Sequence, residues 1–107
     1  MFEFEALVSS LGAAQCTEYL GNVRIRQGDY DSAEKLLVSA KEVYVQLGAQ
    51  SDLAYCHCSF GTLYRNQGRT LEAIESFENA RNIYGLLGRQ HDVAQCSSEI
   101  SKLRNAM

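Results

Sequence analysis

A chain of 107 residues is the length of a single domain, near the lower end of what buries a comfortable core. Ten Lys and Arg against 13 Asp and Glu leave a formal charge of −3, which speaks against a nucleic-acid partner, since general nucleic-acid binders carry a basic excess. The apolar runs are only a few residues long, so no membrane span and no signal-peptide core is expected, and a soluble cytoplasmic protein is the default reading.

Taken in order, the chain opens on Phe2, Phe4, Leu7 and Val8. Shifted by forty residues, Phe4 falls under Tyr44 and Tyr84, and Leu7 under Leu47 and Leu87. Residues 1–12 are therefore expected to be the tail of a second helix whose own first helix is missing. From about Ala13 to Gln27, Cys16, Leu20 and Val23 recur at i, i+4 and i+7, the stripe of an amphipathic helix. Cys56, Phe60, Leu63 and Cys96, Ile100, Leu103 repeat that stripe.

These three segments are the A helices. Gly21 and Gly61 lie inside them, where glycine costs about 1 kcal/mol relative to alanine. Close approach of a neighbouring backbone is the expected reason, and the partner helix carries alanines at the matching positions, Ala33, Ala40, Ala73 and Ala80. Gly28 and Gly68 stop the A helices, because glycine accepts the left-handed conformation of a tight helix end.

Two B helices follow. Tyr30, Ala33, Leu37, Ala40, Tyr44 and Leu47 are spaced three and four apart, and Thr70, Ala73, Phe77, Ala80, Tyr84 and Leu87 repeat the series. Asp29, Asp31 and Glu34, or Glu72 and Glu75, sit in their first turns and suit the positive end of the helix dipole. Leu47-Gly48 and Leu87-Gly88 end them, and Asp52 and Asp92 are the expected N-caps of the next A helices.

Self-similarity at a fixed period of 20–50 residues marks a stacked repeat array. The fold class is all-α, a single domain with a first repeat at 13–48, a second at 52–88 and a capping or truncated A helix at 92–107. Cys16, Cys56 and Cys96 stand forty apart and read as small buried apolar residues. Cys56-His57-Cys58 is the one cluster with ligand chemistry, but i and i+2 on a helix face different ways, so no metal and no cofactor is expected. His91 stands beside Asp92 in a turn, and no third orienting group accompanies either histidine, so the chain is not expected to be an enzyme.

Leu20-Gly21, Gly28-Asp29-Tyr30, Ala33, Leu37 and Ala40, with Phe60-Gly61, Tyr64, Gly68, Ala73, Phe77 and Ala80, resemble the tetratricopeptide repeat. The common unit of that family has 34 residues and a closing proline. The period here is forty, similar to the extended repeats of kinesin light chains, Pins-type spindle scaffolds, bacterial Rap regulators and the sensor ends of STAND proteins. Arg24 and Arg104 replace the usual aromatic and Ser101 the usual glycine, so the last A helix is expected to act as a cap.

The resemblance implies a right-handed α-solenoid of antiparallel helix pairs whose A helices line a concave groove holding a peptide or a helix. Carried onto this chain, the groove positions are Gln15, Glu18, Asn22, Ile25 and Arg26, then Tyr55, Cys58, Thr62, Arg65 and Asn66, then Gln95, Ser98, Lys102 and Asn105. Arg24, Arg26, Arg65, Lys102 and Arg104 outweigh Glu18 and Glu99 in the A segments, five charges against two or +3, which leaves −6 for the rest. A positive groove would favour an acidic peptide. The carboxylate clamp of chaperone-binding members is matched only at Asn22 and Lys102, with Glu18 placed to repel a terminal carboxylate. The expected function is a protein-interaction scaffold. The alternative is a structural segment that self-associates, as a homo-oligomer or within a larger sensor or adaptor array.

Overall fold

Every helix but the first begins two residues after a glycine held in the left-handed region. Gly28, Gly48, Gly68 and Gly88 have φ of 78°, 66°, 76° and 73°, and each releases the chain into a single N-cap residue before the next helix. The computed structural model describes residues 4–107, with side chains from Ser9 onward. Its described elements are α1 (Phe4–Arg26), α2 (Tyr30–Leu47), α3 (Gln50–Asn66), α4 (Thr70–Leu86) and α5 (Gln90–Asn105). The array is thus built from hairpin steps of twenty residues, two to each sequence period.

The stop after α2 shows how the step works. The N–H of Ala49 reaches back to the carbonyl of Tyr44 at 3.0 Å and that of Gly48 to Val45 at 3.2 Å, closing the helix end that a left-handed glycine permits. The same geometry explains where the expected boundary near residues 12–13 fails. The position forty residues before Gly48 is Val8, whose β-branched side chain makes left-handed backbone costly. Lacking that stop, α1 runs unbroken from Phe4 to Arg26. Phe2 and the side chains of Phe4, Leu7 and Val8 lie outside the described residues, and so does their expected equivalence with the α2 and α4 aromatics.

The N-caps also differ from expectation. Helices α3, α4 and α5 start after Ala49, Arg69 and Arg89, so Asp52 and Asp92 sit in the first turn and not at the cap. With the cap fixed at the residue after the glycine, there is no room for one four residues downstream. At α2 the cap is Asp29, whose carboxylate accepts from the Ser32 N–H at 3.4 Å. Arg69 and Arg89 use their cap position to grip a carboxylate three residues on. Arg69 Nε donates to Glu72 at 2.8 Å and Arg89 Nε to Asp92 at 2.8 Å. Each guanidinium lies over an aromatic ring of the preceding helix end, Tyr64 at 4.5 Å and Tyr84 at 5.6 Å, an arrangement that cation–π attraction favours.

Helices adjacent in sequence pack on one another, and α1 also touches α3. The principal extents are 49 × 33 × 16 Å, with a radius of gyration of 14.2 Å. That exceeds the roughly 13 Å of a compact domain of this length and describes a slab. Its core is the B-helix series: Ala33, Leu37, Ala40, Tyr44 and Ala73, Phe77, Ala80, Tyr84 are all buried. Against them pack Cys56, Phe60 and Leu63 from α3, and Cys96, Ile100 and Leu103 from α5.

Cys16, the α1 member of that stripe, departs from its expected burial: it is exposed, and Leu20 is 50% exposed. Their counterparts are covered because α2 lies before α3 and α4 before α5. Among the described residues no helix lies before α1. Gly21 and Gly61 are indeed pressed by α2 and α4, with the backbone of Ala33 within reach at Gly21, but the nearest atoms are not those of the alanines. A Cβ on Gly61 would stand 2.6 Å from the Phe77 ring, and one on Gly21 would stand 3.0 Å from Leu37, so the glycines make room for the large residue between the alanines.

Candidate functional site

Helices α1, α3 and α5 lie side by side and enclose two clefts on one face. The larger, about 390 Å³, lies between α3 and α5 over Phe77 and Tyr84 of α4, and is lined by Tyr55, Cys58, Thr62, Arg65, Gln95, Ser98 and Lys102 together with Asp92, Cys96 and Glu99. The smaller, about 230 Å³, lies between α1 and α3 and is lined by Gln15, Glu18, Tyr19, Asn22, Asp52 and Tyr55. The forty-residue spacing thus gathers most of the expected groove positions. Arg26 and Asn66 are exposed but border neither cleft, and Ile25 is buried.

Tyr55 is the one side chain common to both clefts, and it is 54% exposed. Two helical turns on, half-buried Thr62 turns its hydroxyl back to the Cys58 carbonyl at 3.2 Å. Gln15 spans the α1–α3 cleft, its amide donating to Asp52 at 3.1 Å. Several lining residues are absent from the groove positions expected from sequence, Phe77, Tyr84, Asp92 and Cys96 among them, and three more have a local reason to be missed. Asp52 has the sequence context of a cap, and Tyr19 and Glu99 occupy positions next to those read as groove. Their equivalence at a spacing of forty with the buried Ser59 masks them.

Glu18 lines the α1–α3 cleft from a nearly closed position. Only 4% exposed, its carboxylate accepts from the Tyr44 hydroxyl at 2.8 Å and from the Ser59 hydroxyl at 3.3 Å. One buried group therefore ties α1 to α2 and α3. Burial raises its pKa above the usual carboxylate value and Asp52 adds to the rise, while the two hydroxyl donors act in the opposite direction.

The expected positive groove does not form. Arg65 donates to Glu99 at 2.6 Å, and the Lys102 ammonium lies 3.7 Å from the same carboxylate. Arg104 reaches Glu78 at 3.1 Å and Arg24 reaches Gln27 at 3.0 Å. Arg65 and Lys102 in the larger cleft are matched by Asp92 and Glu99, and the smaller cleft holds Glu18 and Asp52 with no cation. A count over whole A segments overstates the groove charge because Arg24 and Arg104 repeat the position of Tyr64, on the opposite side of the helix.

Cys56, His57 and Cys58 splay as i and i+2 on a helix must. The Cys56 thiol donates to the Leu37 carbonyl at 3.6 Å, His57 points into a cavity on the other face, and Cys58 touches Cys96 at 3.8 Å. Burial pushes Cys56 up to about 12 and raises Cys58 and Cys96 as well, which withholds the thiolate that nucleophilic or metal chemistry uses. His57 is drawn down to about 4, by burial first and then by Lys41. Among the described residues no three His, Cys, Asp or Glu side chains are grouped to hold a metal ion, and no helix is long and apolar enough to cross a membrane.

The sequence model described as tetratricopeptide repeat matches residues 12–85. No curated protein and no solved structure gives a significant match.

Proposed function

The chain belongs to the tetratricopeptide repeat family, a family of protein-interaction modules, and from that premise we propose that it captures a peptide or a helix of a partner protein across α1, α3 and α5. One observation carries this reading: Tyr55 stands half-exposed between two clefts and borders both. A large aromatic at the centre of a concave surface is the usual anchor of an interface, since it supplies much contact area for little conformational entropy. The rims supply hydroxyl and amide groups, with charge balanced in the larger cleft, so the ligand best suited is an apolar or aromatic knob flanked by backbone polar groups. The charge distribution lends no support to an acidic preference.

The test is a random-peptide selection on the immobilised wild-type protein, followed by titration of the selected peptides against Tyr55→Ala. Because Tyr55 is exposed, the fold should change little, by about 0.5 kcal/mol at most. Affinity should fall about 30-fold, the effect of removing an anchor worth about 2 kcal/mol. Equal affinity for both proteins would sink the reading.

A second reading, self-association, rests on a different observation, the open stripe of α1 where Cys16 is exposed and Leu20 is 50% exposed. In α3 and α5 the same stripe is buried against a neighbouring helix, so α1 offers a surface that a second copy could cover. Sedimentation should then show wild type dimerising with concentration and Leu20→Glu remaining monomeric. A wild-type monomer throughout counts against it.

A further inference from the structure

The face opposite the groove carries a larger opening than either cleft. Helices α2 and α4 do not pack on one another closely, and the gap between them, floored by α3, holds about 620 Å³. Phe60 and Tyr64 form the floor, and the α2 wall presents Val38 and Val45, which are 41% and 56% exposed. The apolar contour thus runs from one helix across the floor, a shape that accepts the apolar side of another helix. From Val38 to Gln46 the α2 wall is about 12 Å long, or just over two helical turns.

Charge on the rims is one-sided. Glu42, Glu72 and Glu75 stand against Lys41 alone among the lining residues. Glu72 is engaged by Arg69, whereas Glu42 and Glu75 make no ion pair among the described residues. The floor already attracts cations from the chain itself: the Lys41 ammonium lies 5.8 Å from the Phe60 ring centre and the Arg69 guanidinium 4.5 Å from that of Tyr64. Both contacts are of the kind that draws Lys or Arg onto an aromatic face. His57, the remaining ionisable group in the gap, is neutral at physiological pH and offers a cation no repulsion.

We propose that the gap between α2 and α4 is a second docking surface, one that takes a cationic amphipathic helix from a partner protein. Its apolar side seats on Val38, Val45, Phe60 and Tyr64, and its lysines or arginines meet Glu42 and Glu75. The surface shares no lining residue with the clefts around Tyr55, so one chain can hold two partner segments on opposite faces.

The probe is an 18-residue Leu/Lys amphipathic peptide titrated into the isotopically labelled full chain, with a Leu/Glu peptide of the same pattern as control. Amide shifts should concentrate on α2 and α4 near Val45 and Glu75 with the Leu/Lys peptide and be absent with the control. Glu42→Lys with Glu75→Lys should weaken binding about tenfold, and raised salt should do the same because exposed charges are screened. Val45→Ser leaves the charge unchanged and should weaken binding about fivefold, while Tyr55→Ala should leave it unaltered. Shifts centred on α1 and α5, absence of binding, or an affinity that follows net charge and ignores Val45→Ser would each overturn the proposal.

Discussion

Gly61→Ala should destabilise the protein by about 1–2 kcal/mol, although alanine is the better helix former by about 1 kcal/mol. The added methyl would lie 2.6–2.8 Å from three atoms of the Phe77 ring, inside any permitted carbon–carbon contact. Phe77 is 4% exposed and packed among Ala73, Ile74, Ile100 and Leu103, so the strain falls on the α3–α4 spacing, and overpacking of this kind costs about 1–3 kcal/mol. For a domain of this size the change lowers Tm by roughly 5–15 °C.

The repeat supplies its own control. At the equivalent place in the first repeat, a Cβ on Gly21 meets Leu37 at 3.0–3.1 Å and the Ala33 carbonyl at 3.5 Å, contacts that a few tenths of an ångström relieve. Gly21→Ala should therefore be within about 0.5 kcal/mol of wild type, strain and propensity nearly cancelling. Placing the smaller partner in the second repeat should import that tolerance. In a Phe77→Leu background, Gly61→Ala should be almost neutral, giving a coupling of about 1–2 kcal/mol in a thermal or urea double-mutant cycle. Equal melting points for Gly21→Ala and Gly61→Ala would refute the steric account.

This pair shows what a sequence period discloses and what it hides. The B-helix series from Tyr30 to Tyr44 and from Thr70 to Tyr84, the glycine stops and the all-α class are legible because three-and-four spacing and left-handed glycines are local signals. That most of the expected positions line the two clefts has the same origin, since residues three and four apart share a helical face. Facts that depend on the neighbour are not legible. Cys16 has the register of buried Cys56, yet it is exposed because no described helix lies before α1. Glu18 has the spacing of a groove residue, but its partners Tyr44 and Ser59 stand 26 and 41 residues away, beyond any local pattern. The charge of the A segments misleads likewise, because Arg65 finds Glu99 only when α3 and α5 are side by side.

Removing the Tyr44 hydroxyl should expose the character of that buried carboxylate. In Tyr44→Phe, the Glu18 oxygen that accepts at 2.8 Å loses its closer donor in a place without solvent, and a hydrogen bond to a charged group contributes about 1.5–3 kcal/mol against 0.5–1.5 kcal/mol for a neutral one. The cost should therefore depend on pH. Glu18 has a folded pKa raised above 4.5, chiefly by burial. The folded state thus holds the proton more tightly than the unfolded chain does. Stability from the protonated form is fully present below about 4.5, and is lost as pH rises through the raised folded value. At pH 7 Tyr44→Phe leaves an anion under-solvated and should cost about 2–3 kcal/mol, while at pH 4 it leaves a neutral acid and should cost about 1 kcal/mol. Glu18→Gln removes the titration, so its stability relative to wild type should be highest at neutral pH and should decline on acidification, a difference in which the other carboxylates cancel. In the Glu18→Gln background Tyr44→Phe should cost the same at both pH values. Urea midpoints at pH 4 and pH 7 for the four proteins decide the matter. A Tyr44→Phe penalty independent of pH in the presence of Glu18 would mean that the phenol serves α2 by packing alone and not by holding a charge where α1, α2 and α3 meet.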